Sequence, residues 1–497
     1  MRKTFWLRFL PLIIKVGLGG VLTAGLWGCV GSKPSSATSN LRPNIIVVFT
    51  DDQGYADLGC QGVLDDIRTP NLDRFAAEGV RMTAGYVTAP QCSPSRAGLL
   101  TGRYQQRFGF DDIADGPLPL DQMTLADRMT VGGYATGMVG KWHLEPNPGT
   151  LAWNAIYLPD GADPRRVPAK FVRPFLPDHR GFKEIFFGSM TRYLATYTLD
   201  GEDQPDGRKK WVDIDRFRVD VQTEAALAFI DRHFGEPFFL YVAYYAPHVP
   251  LEATEDYLDR FPGEMPERRR HALAMLSAID DGVGGILDRL EDYGISENTL
   301  IFFISDNGAP LWIDKEDLPL HMNGWDGSVN LPLNGEKGML LEGGVRVPYL
   351  LRWPAEIPGR QIVDKPASTL DVAPTVLAAA GLPPVSEMDG VDLLPLLNGE
   401  APWPDRPLFW RFWNQAAVRH GPWKYLHLAD GGRFLFDLRS DPAETVNVLK
   451  QQPDVAAALA TELEAWSSQL KPAGLPDDGK LNDQESRWFG HYLQWAQ

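Results

Sequence analysis

Four short apolar runs limit what this chain can fold into: NIIVVF from Asn44 to Phe49, YATGMV from Tyr134 to Val139, FFLYVAYY from Phe238 to Tyr245 and LIFFIS from Leu300 to Ser305. None alternates apolar with polar residues, and all are rich in β-branched and aromatic side chains. Each therefore suits a strand covered on both faces, as in a parallel sheet. Helical patterns such as NLDRFAAEG and VQTEAALAFIDRHF lie between them. The alternation predicts an α/β fold: a large mixed, mainly parallel sheet flanked by helices. Nearer the C-terminus, LFWRF, QAAVRHG, WKYLHL and RFLFDL predict a small antiparallel sheet. A chain of 497 residues exceeds what one core usually serves. The Trp/Pro-rich stretch LLNGEAPWPDRP divides it into a large domain over 42–395 and a C-terminal subdomain over 396–497. DVAAALATELEAWSSQL reads as a final amphipathic helix packed across the small sheet.

In open α/β sheets the binding crevice lies beyond the carboxyl ends of the strands. The first run leads into Asp51-Asp52, the second into Lys141-Trp142-His143, the third into His248 and the fourth into Asp306-Asn307. Each alone has an ordinary reading as a turn, a helix cap or a structural histidine. Together, four turns bring three carboxylates, an amide, a lysine and two histidines to one edge. Asp51, Asp52, Asp306 and Asn307 offer oxygen ligands only, which suits a hard divalent cation: calcium, with its tolerance for irregular oxygen shells, in preference to magnesium.

The chain has three cysteines. Cys29 closes an N-terminal segment with Arg2, Lys3 and Arg8 ahead of a weakly charged run to LWGC, which reads as a signal peptide with a lipobox over 1–29. The Ser-rich stretch over 30–41 reads as a linker. The expectation is an exported protein at the periplasm or cell surface, meeting the membrane only through lipid on Cys29. Cys60 and Cys92 remain, and a disulfide between them is the ordinary reading for an exported chain. Cys92, however, stands in APQCSPSRAGLLTGR, a polar turn opening a helix near Ser93 or Pro94. Such a helix start favours anions, and Arg96 adds a cation with a planar fork suited to oxyanions. A net charge of -17 with no basic stripe argues against a nucleic-acid partner.

Cys92-Ser93-Pro94-Ser95-Arg96, followed by Leu100-Thr101-Gly102-Arg103, resembles the C-x-P-S-R…T-G-R signature of the type I sulfatases of the alkaline phosphatase superfamily. The resemblance continues in DDQGYADLGCQG, GKWHL, APHVP, SDNG, KGMLLEGGVRVP and LFDLRSDPAETVN, from about residue 42 to 450. It implies that a maturation enzyme oxidises Cys92 to formylglycine, reading it in an accessible turn of the unfolded chain, and that the hydrated aldehyde is the nucleophile. Cys60 is then left unpaired as a small buried residue. The resemblance further implies calcium bound by Asp51, Asp52, Asp306, Asn307 and residue 92, with Asp306 taking the nucleophile's proton. Arg96 and Lys141 would hold the diol, and Lys337 a sulfate oxygen. His248, with Lys337, would protonate the leaving alcohol, and His143 would deprotonate the second diol hydroxyl to expel sulfate.

The expected substrate is a sulfated glycan, with small aryl sulfates turned over beside it. Fifteen tryptophans are compatible with stacking on sugars. The segment from Glu145 to Asp215, carrying Trp153, Tyr157, Arg165, Arg166 and Arg173, is long enough to wall a pocket. His321, just past the Asp306-Asn307 turn, is a weak substrate-contact candidate, and His179 a weaker one. Two rivals stand beside this reading: a phosphodiester or phosphonate hydrolase of the same superfamily, and a non-catalytic glycan-binding surface lipoprotein.

Overall fold

The four runs form adjoining strands at the centre of one sheet. In the computed structural model, the described residues are 42–159, 161–163, 166–313, 318–472, 474–476 and 479–494. The leader and linker readings over 1–41, Cys29 included, and Arg165 lie outside them. The central strands are Asn44–Asp51, Ala135–Gly140, Phe238–Pro247 and Thr299–Ser305. The first lies between the third and fourth and pairs with both in parallel, and the second pairs in parallel with the third. Among the described residues this sheet has ten strands, with antiparallel neighbours toward both edges, at Tyr349–Arg352 on one side and Arg192–Ala195 on the other.

The absence of alternation in the first run has a direct explanation. Ile45, Val47 and Phe49 face one core with the helices Cys92–Thr101, Leu125–Val131 and Val372–Ala379. Ile46 and Val48 face a second core with the helices Pro70–Glu78, Arg218–His233 and Glu267–Asp292. Every residue from Asn44 to Asp51 is buried. A strand with helices on both faces has no solvent side on which polar residues would be favoured.

The C-terminal runs form a four-stranded antiparallel sheet at Leu408–Phe412, Gln415–His420, Trp423–Leu428 and Arg433–Asp437. One face contributes Trp410, Ala417 and Leu426 to the first core of the large sheet. On the other face Val418, Tyr425 and Leu435 pack with Leu459, Leu463 and Trp466 of the helix Pro453–Ser467. That helix is not the last: Asp483–Tyr492 follows, capped by the Asn482 side chain in a capping box with Glu485. The segment expected to wall a pocket does so in its first part, and farther on it supplies three edge strands of the large sheet (Glu184–Gly188, Arg192–Ala195 and Lys210–Asp213). Ahead of them, Trp153 and Tyr157 line a cavity of about 620 Å³ with Phe108, Phe110 and Phe175.

A buried ion cluster joins the small sheet to the loop that follows Lys337. Lys424 lies 3.0 Å from Glu342 Oε1 and 2.9 Å from Glu444 Oε1, with all three side chains excluded from water. Removing one partner of such a cluster strands the remaining charges. Lys424→Ala is expected to lower unfolding free energy by about 3 kcal/mol in chemical denaturation. Adding Glu342→Gln and Glu444→Gln should recover part of it.

Candidate active site

The register of the central strands aligns their carboxyl ends. Thr50 pairs with Ser305 and Asp51 with Pro247, so Asp51-Asp52, Asp306-Asn307 and His248 leave the sheet at one level. Asp52 turns the chain with a φ of 68°, and its N–H donates to Asp306 Oδ1 at 3.1 Å. The second strand ends on Gly140 at a φ of 90°, where a Cβ would lie 2.0 Å from the Ala243 carbonyl oxygen. That close approach brings Lys141 beside Asp51.

The helix Cys92–Thr101 aims its first turn at this edge. It starts at Cys92 itself, one or two residues before the sequence expectation, with Gln91 as N-cap. Ser93 Oγ donates to the carbonyl of His143. Arg96, wholly buried, donates from Nη2 to Asp306 Oδ2 at 2.6 Å and from Nη1 to the Lys141 carbonyl at 3.2 Å. Cys92 offers Sγ, with Asp51 and Asp306 oxygens, in a group of ligand atoms all within 4.8 Å of one another, and Asp51, Asp52 and His248 form a second such group.

Cations and carboxylates pair closely here. Lys141 Nζ donates to Asp51 Oδ2 at 2.6 Å. Lys337 Nζ donates to both Asp52 oxygens, at 2.6 and 2.8 Å, and Asn307 Nδ2 donates to Asp52 Oδ1 at 2.6 Å. Lys337, expected to face a sulfate oxygen, thus sits on an expected metal ligand, because an ammonium this deep is stabilised by the nearest carboxylate. Burial would raise Asp51, but Lys141, His248, Arg96 and Lys337 together hold it well below the usual carboxylate range. Burial, with Asp51 alongside, pushes Asp306 up. Burial lowers His248 to about 4, against the pull of Asp51 and Asp52. Burial, then Lys141 and Arg96, keeps His143 well below its ordinary value. Both imidazoles are therefore neutral at pH 7 in the ligand-free site.

The oxygen atoms fit a metal of the expected kind. Asp51 Oδ1 and Asn307 Oδ1 are buried and accept no hydrogen bond. Buried acceptors seldom go without a partner, and two of them among three carboxylates suit a hard cation. Asp51, Asp52, Asp306 and Asn307 are the residues that would hold it.

In the folded protein Cys92 is 1% exposed and every residue of its helix is buried, so the polar turn expected from the sequence is open only before folding. Cys60 is only partly buried, and neither cysteine is in a disulfide. His321 is exposed on a loop whose Leu318, Pro319 and Met322 carbonyls accept from Arg268, and among the described residues no hydrogen bond or ion pair ties it to the metal edge. His179 is likewise half exposed, beside Asp178.

Sequence reasoning passed over Asp326. Its Oδ1 accepts from the Ser328 N–H at 3.0 Å, while Oδ2 is buried without a partner. Burial, and then Asp52, push it well above the usual carboxylate range. In NGWDGS it reads as a turn residue, and only the folded chain brings it near Asp52 and Lys337.

A parallel sheet whose edge combines an oxygen-rich cation site, a helix N-terminus and three fixed cations defines a hydrolase of oxyanion esters. Comparison with known proteins gives the class. The Sulfatase family model matches residues 43–382, and the N-sulphoglucosamine sulphohydrolase C-terminal model matches residues 335–469. The chain is 32% identical to arylsulfatase A of Bos taurus over 87% of its own length and 88% of that protein's. It is 34% identical to N-acetylgalactosamine-6-sulfatase of Mus musculus over 74% and 68% of the two chains. A crystal structure of Ps i-CgsB in complex with k-i-k-neocarrahexaose superposes with a TM-score of 0.71 at 30% identity, covering 90% of this chain and 97% of that one. The chain belongs to the sulfatase family. It is a sulfuric ester hydrolase.

The burial of Cys92 is directly measurable. Burial raises its thiol above the ordinary value, and the thiolate is the reactive form. In protein that carries residue 92 as a free thiol, alkylation of Cys92 by iodoacetamide should be at least about tenfold slower in the native state than in urea, read by peptide mass spectrometry. Equal rates in both states would contradict the burial described above.

Proposed function

We propose that this chain hydrolyses sulfate monoesters of a glycan, and aryl sulfates beside them, using formylglycine made from Cys92 and a bound calcium. The observation that carries the reading is the convergence of Asp51, Asp306 and Cys92, with ligand atoms within 4.8 Å of one another, at a helix N-terminus held by Arg96. Relatives named for sulfated sugars, and a structural neighbour described with k-i-k-neocarrahexaose, support a glycan over a small aromatic ester as the native substrate.

Calcium in the Asp51, Asp52, Asp306 and Asn307 site would supply a fixed positive charge opposite the sulfate oxygens. Residue 92, once oxidised and hydrated, would supply the nucleophilic oxygen. The protein's own residues then divide the remaining work. Arg96 and Lys141 orient residue 92 and balance the charge around it. Asp306, raised by burial, takes up the proton released at residue 92. Lys337 releases Asp52 and contacts a sulfate oxygen, so that binding and pairing compete for one ammonium. His248, with Lys337, gives a proton to the departing alcohol, and a bound anion beside the imidazole favours its charged form. His143, neutral in the ligand-free site, accepts the proton that accompanies sulfate release. We also propose that the chain is exported and anchored through lipid on Cys29. Cys29→Ser should release it from the membrane fraction.

Sulfate and phosphate monoesters differ in charge. A sulfate monoester carries one negative charge, and a phosphate monoester nearly two at neutral pH. The preference for sulfate rests on membership of the sulfatase family. We expect kcat/KM for 4-nitrophenyl sulfate to exceed that for 4-nitrophenyl phosphate at least about a hundredfold, roughly 2.7 kcal/mol. A phosphate diester or phosphonate ester turned over faster than every sulfate ester would install the rival hydrolase in its place. Loss of turnover on Cys92→Ala, with the fold retained, separates catalysis from the glycan-binding alternative.

The metal has its own readout. Calorimetric titration of the metal-stripped protein should show one tight calcium site and weaker magnesium binding. A ligand that binds only the native state raises the melting temperature, so calcium should stabilise the wild type. Asp51→Asn should remove most of that shift. Full activity after exhaustive chelation would exclude the metal from the reaction.

A further inference from the structure

Two tryptophans beside the active site hold backbone angles that tryptophan rarely adopts. Trp312 has a φ of 46° and Trp413 a φ of 47°. Trp413 is the first residue of a two-residue hairpin loop, because Phe412 pairs with Gln415 across it. Such loops ordinarily place glycine, asparagine or aspartate at positive φ. Trp312 is held by Glu336, whose Oε2 accepts from the N–H groups of Leu311 and Trp312, each at 2.8 Å. Strained backbone of this kind persists only where its surroundings over-determine it, and it clusters at functional sites. Here both strained residues line one cavity.

That cavity, of about 520 Å³, opens beside Lys337. The helix Asp483–Tyr492 closes its far wall. Trp488 stacks on Trp413 with ring centroids 6.0 Å apart and planes at 15°, and it packs against Gly338, where a Cβ would lie 2.5 Å from the indole. Glu485 accepts from the Asn414 side chain at 2.8 Å and fixes the hairpin to the helix. Trp413 Nε1 donates to Asp112 Oδ2 at 2.6 Å, which locks the ring's rotation. Trp312 remains 47% exposed, the most exposed tryptophan in this wall. Gln91, Gln484 and Arg487 add amide and guanidinium groups to the lining.

Aromatic faces combined with planar polar groups match one kind of ligand. A pyranose presents an apolar face of C–H groups and a rim of hydroxyls. The first packs on indole, and the second hydrogen-bonds to amides and guanidinium. Gln91 immediately precedes Cys92, and Lys337 lines the same cavity, so a sugar seated there is contiguous with the reacting ester. We propose that this cavity is a subsite for the sugar next to the sulfated one, so that the native substrate is an oligosaccharide or polymer. The inference rests on the sulfatase reading and extends it from reaction to substrate length.

The test compares the matured full-length protein and its Trp312 variants on 4-nitrophenyl sulfate and on sulfated hexasaccharides from carrageenan and chondroitin sulfate. Trp312→Ala should lower the ratio of hexasaccharide to aryl kcat/KM about tenfold, mainly through KM, as expected when binding common to ground and transition states is removed. Trp312→Phe should restore most of the ratio. Trp312→Gly, which tolerates the positive φ, should behave like Trp312→Ala on sugars with no loss of melting temperature. An unaltered ratio, or an equal fall for both substrate classes, overturns the subsite. So does a wild type that hydrolyses the aryl sulfate and none of the hexasaccharides. A matured protein that hydrolyses no sulfate ester at all overturns the underlying reading and the subsite with it.

Discussion

The contact between Arg96 and Asp306 organises this molecule. It joins the first turn of the Cys92 helix to the end of the fourth central strand, with both side chains wholly buried and 2.6 Å apart. Asp51 lies 3.8 Å from the same guanidinium. Without that cation, two carboxylates at one sheet edge would repel each other in a medium that screens poorly. With it, the helix start, the metal edge and the loop of Lys141 are fixed in one arrangement, since the Lys141 carbonyl also accepts from Arg96. A lysine could supply the charge but not the fork that spans carboxylate and carbonyl together.

Much of this could be read from the chain. The four central strands and the polar residues after them follow from one physical rule: a strand covered on both faces is mostly apolar, and its charged residues come where it ends. The strands of the small sheet were equally legible, and they share the first core with the large one. Less legible was everything that depends on what packs against a loop. Asp326 reads as a turn residue, yet it is buried because Gly327 approaches the Arg268 carbonyl too closely for any side chain. The helix Asp483–Tyr492 announced itself only through the capping pair Asn482 and Glu485, without a long apolar stripe. The left-handed backbone at Trp312 and Trp413 has no signal at those two positions, where tryptophan stands in place of glycine, asparagine or aspartate.

The C-terminal portion is therefore more than a support. Lys424 pairs with Glu342, in the loop that follows Lys337, and with Glu444, Gln415 donates to the carbonyl of Gly338 at 2.9 Å, and Trp488 covers Gly338. Three contacts from the small sheet and the last helix converge on one short loop. The position of the Lys337 ammonium depends on residues remote in the chain, so changes in the small sheet can alter substrate binding without touching the metal edge.

The enclosed helix start at Cys92 also bears on how the protein comes into being. A side chain that water scarcely reaches in the finished fold is closed to any enzyme that must grasp the backbone around it. Oxidation of that residue would compete with the collapse of the sheet around it, and each chain would pass this branch point once. Copies that fold first would be well formed, metal-competent and permanently inert. Specific activity would then record the outcome of a race during synthesis, and two preparations with identical melting curves could differ in it severalfold.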